Sequence, residues 1–319
     1  MLPVATPDIS SSQLSGEKVL VTGAAGQIAF PLVEYLARNN DVWGIARFGE
    51  PGSREKVEAV GATTRVCDLE TGRFDGIPSD FSYVVHLAAF MGPGLDFDHA
   101  ISVNAEGTGL LLQHCQTAKA ALLMSTHSVY RPATDPMHVF LETDPIGEVN
   151  SAMAPTYSMS KIAQEAVGRY CSRAFDLPVV IARMNASYGA NGGLPTHHID
   201  AIAAGSAVNT RWNPCMYSPI HQDDINEQVG RLLSAATVPA TIVNWAGDEP
   251  VSVQEWCGYV GELLGVQPIV NVIDSLGTLR GSIASNAKRA AITGPCRVDW
   301  RSGLRRTVEA RYPGRTRDA

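Results

Sequence analysis

Lysine is scarce in this chain, occurring only at positions 18, 56, 119, 161 and 288, and acidic residues outnumber basic ones by 32 to 25. A formal net charge of -7 argues against a nucleic-acid partner, because phosphate binding needs a basic face. No C-x-x-C occurs among the six scattered cysteines, Cys67, Cys115, Cys171, Cys215, Cys257 and Cys296. That spacing suits reduced, mostly buried thiols in a cytosolic protein better than a disulfide framework or a zinc site. No apolar run is long enough to span a bilayer, so no membrane partner is expected. The opening MLPVATPDISSSQLSGEK has neither a charged n-region nor a continuous apolar h-region. It is therefore not read as a secretory signal; its Pro and Ser content predicts a flexible extension over residues 1–16, and the expected location is cytoplasmic. Internal repeats and low-complexity blocks are also missing.

What is present is the composition of a globular protein with a sizeable core, 45% hydrophobic and 18% charged over 319 residues. Short β-branched runs alternate with helical stretches. KVLVTG (18–23), DVWGIAR (41–47), TTRVCDL (63–69), FSYVVHLAA (81–89), ALLMST (121–126) and PVVIARM (178–184) read as strands. QIAFPLVEYLARNN, NAEGTGLLLQHCQTAKA and APTYSMSKIAQEAVGRYCSRAF read as helices between them. Such alternation predicts an α/β fold, a doubly wound parallel sheet of the Rossmann kind with helices on both faces. The expected dinucleotide-binding domain covers 17–185, and residues 219–247 return to it through a strand at 240–246. Residues 186–319, rich in Gly, Pro, Asn and Trp, are expected to form a smaller, discontinuous substrate-binding lobe at the carboxyl ends of the strands. In the arginine-rich RSGLRRTVEARYPGRTR from Arg301, Leu304 and Val308 lie four apart, predicting a terminal amphipathic helix with a solvated basic face.

After the first strand comes GAAGQIA, with Gly23, Gly26 and then Ala29 where a third glycine often stands. The first glycine permits a tight turn, and the second lets backbone approach a pyrophosphate at a helix N-terminus. The position that would hold the ribose 2′-hydroxyl of NAD, at the end of the second strand, carries Ala46 and Arg47. With no carboxylate to repel a 2′-phosphate and a guanidinium able to clamp one, NADP is favoured over NAD, which remains open. Asp68 in CDL lies near the expected adenine site, or forms a turn. In PTYSMSK, Tyr157 stands one helical turn ahead of Lys161, a spacing that places both on one face.

Taken together, VTGAAGQIA, CDL, HLAA (86–89), VNAEGT (103–108), STHSVY (125–130), YSMSK, ARMNASYG, PIHQDD (219–224) and AGDEPVSVQEW resemble the extended short-chain dehydrogenase/reductase family of the NAD-dependent epimerase/dehydratase type. The resemblance runs from about residue 17 to the last helix. It implies that Thr126 is the active-site hydroxyl, Tyr157 the catalytic tyrosine and Lys161 its partner. It implies cofactor contacts from Gly23, Gly26, Gln27, Ile28, Arg47, Asp68, Leu69, Leu87, Ala88, Ala89, Lys161 and Met184. A neighbouring ammonium would draw the Tyr157 phenol down from its ordinary pKa near 10 towards the working range. A homodimer is implied as well, pairing helices at about 104–119 and 156–175.

The chain departs from the resemblance in informative places. Relatives that remove water from nucleotide sugars carry Asp-Glu after the threonine; here His127 and Ser128 follow, so a dehydratase is not expected. His127 either contacts substrate, acts as a second acid, or merely lines the pocket. Positions that often hold a nucleotide-sugar diphosphate carry Ala186 and Tyr217, with Asn185 one place early, although Arg211 could compensate. The expected substrate pocket is apolar and aromatic, lined by Phe90, Met91, His127, Asn185, Trp212 and Tyr217. These features favour a reductase or dehydrogenase of a small hydroxy/keto compound. The alternatives are a nucleotide-sugar epimerase with tightly held NAD and a non-catalytic NAD(P)-sensing protein. His197-His198 and HQDD are not read as a metal site. Asn104 is expected to tie the fourth-strand loop to the helix, and Glu142 to cap a turn.

Overall fold

The computed structural model describes residues 14–147, 154–274 and 277–317. Seven parallel strands form its central sheet: β1 (Lys18–Thr22), β2 (Asp41–Ala46), β3 (Thr63–Val66), β4 (Tyr83–His86), β5 (Ala120–Thr126), β6 (Val179–Met184) and β7 (Thr241–Trp245). Their order is β7-β6-β5-β4-β1-β2-β3. Central strands such as VVIARM are buried along their whole length, because helices cover both faces of a parallel sheet. On one face α1 (Ala29–Ala37) and α7 (Gln222–Ser234) contribute Leu32, Val33, Ile225 and Val229 to the core. On the other, Leu111 and Leu112 of α4 (Gly107–His114) and Cys171 of α5 (Tyr157–Ala174) pack against Leu20, Val84 and Ile181. The strand order reverses between β1 and β4, which opens a crevice beyond their carboxyl ends.

The expected return strand is β7, paired in parallel with β6 from Thr241↔Val180 to Trp245↔Met184. Beyond the sheet, α6 (Leu194–Ala203), α8 (Val253–Leu264) and α10 (Trp300–Arg311) enclose a separate core around Ile199, Trp256, Val260 and Leu304. A Ser252–Glu255 capping box starts α8, and Gly265 in the left-handed region ends it. Residues 283–284 pair with residues 139–140, bringing the carboxyl-terminal region across the loop that follows β5.

Three expectations change. Order begins before residue 17: Leu14 packs on the sheet core and the Gly16 amide donates to the Asn39 carbonyl. The remainder of the expected extension, residues 1–13, lies outside the described residues. Within the expected 186–319 lobe, α9 (Ala287–Thr293) packs instead on α7 and β7, with Ile292 joining the sheet core. The α10 helix forms with Leu304 and Val308 buried, but its basic face is not simply solvated, since Arg306 pairs with Asp223 and Arg311 with Asp200. Among the described residues no helix is long and apolar enough to cross a membrane.

Candidate active site

At the end of β1 the chain turns sharply at Gly23, whose φ is +68°. Its amide donates to the Ile45 carbonyl, and the Gly26 amide donates back to the Gly23 carbonyl. A Cβ at Gly23 would lie 2.9 Å from the Ala88 Cα, so only glycine lets β1 and the β4 loop approach this closely. Behind the turn, Thr22 Oγ accepts the amides of Leu87 and Ala88 at 3.1 and 3.0 Å, and bonds His86 Nδ1 at 2.7 Å. His86 Nε2 meets Thr108 Oγ at 2.8 Å. Burial, with Lys161 nearby, pulls the His86 pKa down to about 3, so this buried bracket is neutral.

Two clefts flank the turn. One, of about 350 Å³, is lined by Thr22, Ala46, Arg47, Asp68, Leu69, Ala88 and Phe90 among others. The second, of about 500 Å³, is lined by Gln27, Ile28, Leu87, Met91, Met124, Thr126, Tyr157, Met184 and Tyr217 among others. Gly23, Gly26 and Ala89 line both. An extended two-part ligand would lie across the glycines with one half in each cleft, which is how a dinucleotide fits such a crevice.

The residues expected to hold a cofactor therefore gather along one continuous groove, with one exception. Lys161 does not line it: the side chain is 1% exposed and its ammonium donates to the Met124 carbonyl at 2.6 Å. Burial pulls its pKa down to about 7, against the opposing effect of Glu165 one turn further on. Asp68 does both things foreseen for it, lining the first cleft and capping the turn at Leu69–Thr71 through the Glu70 amide.

Thr126 and Tyr157 both line the larger cleft, where the Thr126 hydroxyl acts on the phenol. Burial pushes the Tyr157 phenol up to about 12, and the Thr126 contact only tempers this. That reverses the expected direction. Lys161 spends its short hydrogen bond on Met124, and burial holds the phenol protonated.

The α5 face behind the phenol is unusually polar: Ser158, Ser160, Lys161, Gln164 and Glu165 are all buried. Glu165 accepts from Ser125 at 2.5 Å and from both Nε and Nη2 of Arg183 at 2.9 and 2.7 Å. This bidentate pair clamps α5 to β5 and β6, setting the height of Tyr157 above Thr126. Asn104 does the tying expected of it: its side chain accepts the Phe90 amide at 2.6 Å, and donates to the Phe90 carbonyl and Ser160 Oγ.

Other sequence expectations need correction. Phe90 lines the smaller cleft, not the substrate end, because Asn104 pins its backbone there. Trp212 lines neither cleft among the described residues; it lies under Arg280, 4.3 Å from ring centroid to guanidinium. His127 is not a second acid. It is 3% exposed, and burial pulls its pKa down to about 3. The Asn185 amide orientation is fixed by two backbone amides, Ala186 and Ser218, donating to its carbonyl oxygen. Its Nδ2 therefore donates to His127 Nδ1 at 3.1 Å, which puts the imidazole proton on Nε2. Glu142 does not cap a local turn; its carboxylate accepts the Asn244 amide of β7 at 2.9 Å.

Sequence reasoning missed Leu279, Ser282, Leu194 and His197, which also line the larger cleft. They come from segments with no distinctive spacing, and only the return of residues 279–284 across the β5 loop brings the first two there. The adjacent His197 and His198 part company: His197 is exposed at the cleft, whereas His198 Nδ1 accepts from Trp256 Nε1.

A glycine-turn groove at the carboxyl ends of a parallel sheet, with Thr126 and Tyr157 lining its larger cleft, is the architecture of the doubly wound class. Residues 19–216 match the NAD dependent epimerase/dehydratase family, and the chain belongs to that family. The chain is 31% identical over 176 residues to an L-arabinose 1-dehydrogenase (NAD(P)(+)) of Haloferax volcanii, covering 52% of this chain and 66% of the relative. It is 28% identical over 246 residues to a dTDP-L-rhamnose 4-epimerase of Burkholderia thailandensis, covering 63% of this chain and 66% of that one. The matches thus span slightly less than two thirds of the length of these curated relatives. Among solved structures, a UDP-glucuronic acid 4-epimerase of Bacillus cereus, in complex with a fluorinated UDP-sugar and NAD, superposes with a TM-score of 0.79 at 23% identity. That alignment covers 92% of this chain and 98% of the other. At that identity the likeness speaks for the fold.

Proposed function

We propose that the chain is an NAD(P)-dependent oxidoreductase that interconverts a hydroxyl and a carbonyl on a small, non-nucleotide substrate. The observation that carries this reading is the meeting of Thr126 and Tyr157 in the larger cleft, beside the glycine turn. The nicotinamide, when bound, supplies or takes the hydride. In the reducing direction Tyr157, held protonated by burial, donates its phenolic proton to the carbonyl oxygen as that oxygen gains an electron pair. In the oxidising direction its phenolate takes the hydroxyl proton. The Thr126 hydroxyl, lining the same cleft, holds the same oxygen. Lys161, one turn behind on α5, holds the Met124 carbonyl of the cleft wall, and Glu165 opposes the burial that lowers the Lys161 pKa. Met124 and Met184 make the walls beside the reacting atoms apolar.

NADP is the proposed cofactor, supported by Arg47 in the smaller cleft and by Ala46 where a ribose-binding carboxylate would stand. A homodimer through α4 and α5 is part of the same reading, supported by Leu110 at 39% and Tyr170 at 69% exposure. The test is Tyr157→Phe: turnover falls by about 10²- to 10⁴-fold while dinucleotide affinity holds. Unchanged turnover sinks the reading.

A second reading, a nucleotide-sugar epimerase, is favoured by the NAD and UDP-sugar in the solved neighbour. Such an enzyme returns the hydride to the same substrate and retains its cofactor. Mass analysis of what freshly purified protein releases on denaturation separates the two. Stoichiometric NAD selects the epimerase; exchangeable NADP selects the oxidoreductase.

A further inference from the structure

We propose that the substrate end of the larger cleft is an anion subsite built on Arg211, so that the compound undergoing hydride transfer carries a carboxylate or a phosphate. The inference rests on the oxidoreductase reading and narrows its substrate class.

The chain as a whole is acidic, with a formal charge of -7, yet among the described residues no Asp or Glu lines this cleft. Its lining includes one permanently charged side chain, Arg211, joined by the imidazole of His197. Several arginines elsewhere in the molecule have carboxylate partners: Arg280 has Asp274, Arg289 has Asp248 and Arg297 has Glu227. Half-buried Arg65, which has none, instead bonds the Thr64 carbonyl. Arg211 has no ion pair or hydrogen bond to another described residue, although it is half-buried. Its guanidinium acts on the Tyr217 phenol, opposing the burial that pushes that group up to about 12. Tyr217 in turn is braced by Trp256, 5.8 Å between ring centroids.

A half-buried guanidinium left without a counter-charge is a costly arrangement in a chain with carboxylates to spare. A bound anion supplies the missing partner, and a planar carboxylate or a phosphate matches the two-pronged donor geometry of arginine. The nearby polar groups do not compete for it: the Asn185 amide is committed to His127 and Ser282. One fixed cation suits a single anionic group. A diphosphate has two phosphoryl groups to hold, and one guanidinium can grip only one of them in its two-pronged fashion.

The test is equilibrium binding by calorimetry on the full chain in the presence of NADP, which requires no turnover. The probes are matched pairs, D-galacturonate against D-galactose and D-gluconate against D-glucitol, with D-glucose 6-phosphate as the phosphate arm and UDP as the diphosphate arm. At least one mono-anion is expected to bind about tenfold or more tightly than its neutral partner. Arg211→Gln is expected to erase that preference while leaving NADP affinity and the unfolding midpoint unchanged, and Arg211→Lys to restore part of it. The uronate and phosphate arms show which anion the site takes. Equal affinity for acids and neutral compounds, no binding of any acid, a preference surviving in Arg211→Gln, or UDP outbinding every mono-anion overturns the proposal. Acid selectivity without hydride transfer to either nicotinamide cofactor would instead count against the oxidoreductase reading alone.

Discussion

The buried Glu165–Arg183 pair offers a quantitative check on how the active site is held. The side chains are 4% and 3% exposed, and the shorter of their two bonds is 2.7 Å. At an effective dielectric constant of about 20, one unit-charge pair at that separation attracts by roughly 6 kcal/mol, from which desolvation must be subtracted. Removing one partner strands the other charge in the core. Glu165→Leu and Arg183→Met should therefore each lose about 3–5 kcal/mol of stability. The double variant strands no charge, but leaves Ser125 Oγ and the Glu142 carbonyl without their partners. At about 1–3 kcal/mol for each unsatisfied buried group, it should lose roughly 2–6 kcal/mol. At mid-range values the coupling in the cycle is then about 4 kcal/mol, read from guanidinium unfolding with the buried Trp245 on the adjacent strand as a fluorescent probe. A coupling below about 1 kcal/mol would refute the assignment of this pair as the clamp between α5 and the sheet. Because Glu165 also sustains the Lys161 ammonium, Glu165→Leu should depress turnover more steeply than its stability loss explains.

Gly23→Ala places a Cβ 2.9 Å from Ala88 in a backbone at φ +68°, and should cost about 1–3 kcal/mol and abolish dinucleotide binding. Gly205→Ala, at φ +70° with nothing nearby, should share the backbone cost and spare the binding, which fluorescence titration would show. His86 and His127 are held neutral with pKa values near 3, against an ordinary 6.5. Their folded-state values are lowered, so the unfolded chain takes up protons first as pH falls below 6.5, and stability declines through the window down to about 3. Each contributes about 1 kcal/mol per pH unit. Unfolding midpoints at pH 7 and pH 5 should differ accordingly, and a flat profile would contradict the burial argument. Asn104→Ala frees the Phe90 backbone and Ser160, and should cost about 1–3 kcal/mol. Hydrogen exchange at Phe90 should rise; unchanged protection would mean that the tie is unimportant.

Much of the nucleotide half was legible because its chemistry is local. A β-branched run, a glycine turn and a helix follow one another within about twenty residues, and only one backbone arrangement satisfies all three. Tyr157 and Thr126 were legible from motif spacing, and Asn104 from its place at the head of a helix. Lys161 was legible as a residue but not in its environment: spacing shows a shared helix face, not that Met124 captures the ammonium. For the same reason the role of His127 stayed open among three, and Trp212 and Phe90 were misread. Each was assigned by proximity in the chain, while the His127 imidazole, which does line the larger cleft, answers to Asn185, the Trp212 ring to Arg280 and the Phe90 backbone to Asn104.

By itself, the sequence determined the alternation that makes a parallel sheet, the glycines of the turn and the candidates for proton transfer. Periodicity and backbone stereochemistry act over a few residues, and they leave a readable trace. The tertiary structure alone decided which charges meet and which stay unpaired: Glu165 with Arg183, Glu142 with the β7 backbone, and Arg211 with no carboxylate. Such pairings depend on segments tens to more than a hundred residues apart, and local pattern carries no record of those contacts. Burial then sets the proton affinities, holding Tyr157 protonated and His127 neutral, because the cost of a charge depends on everything packed around it.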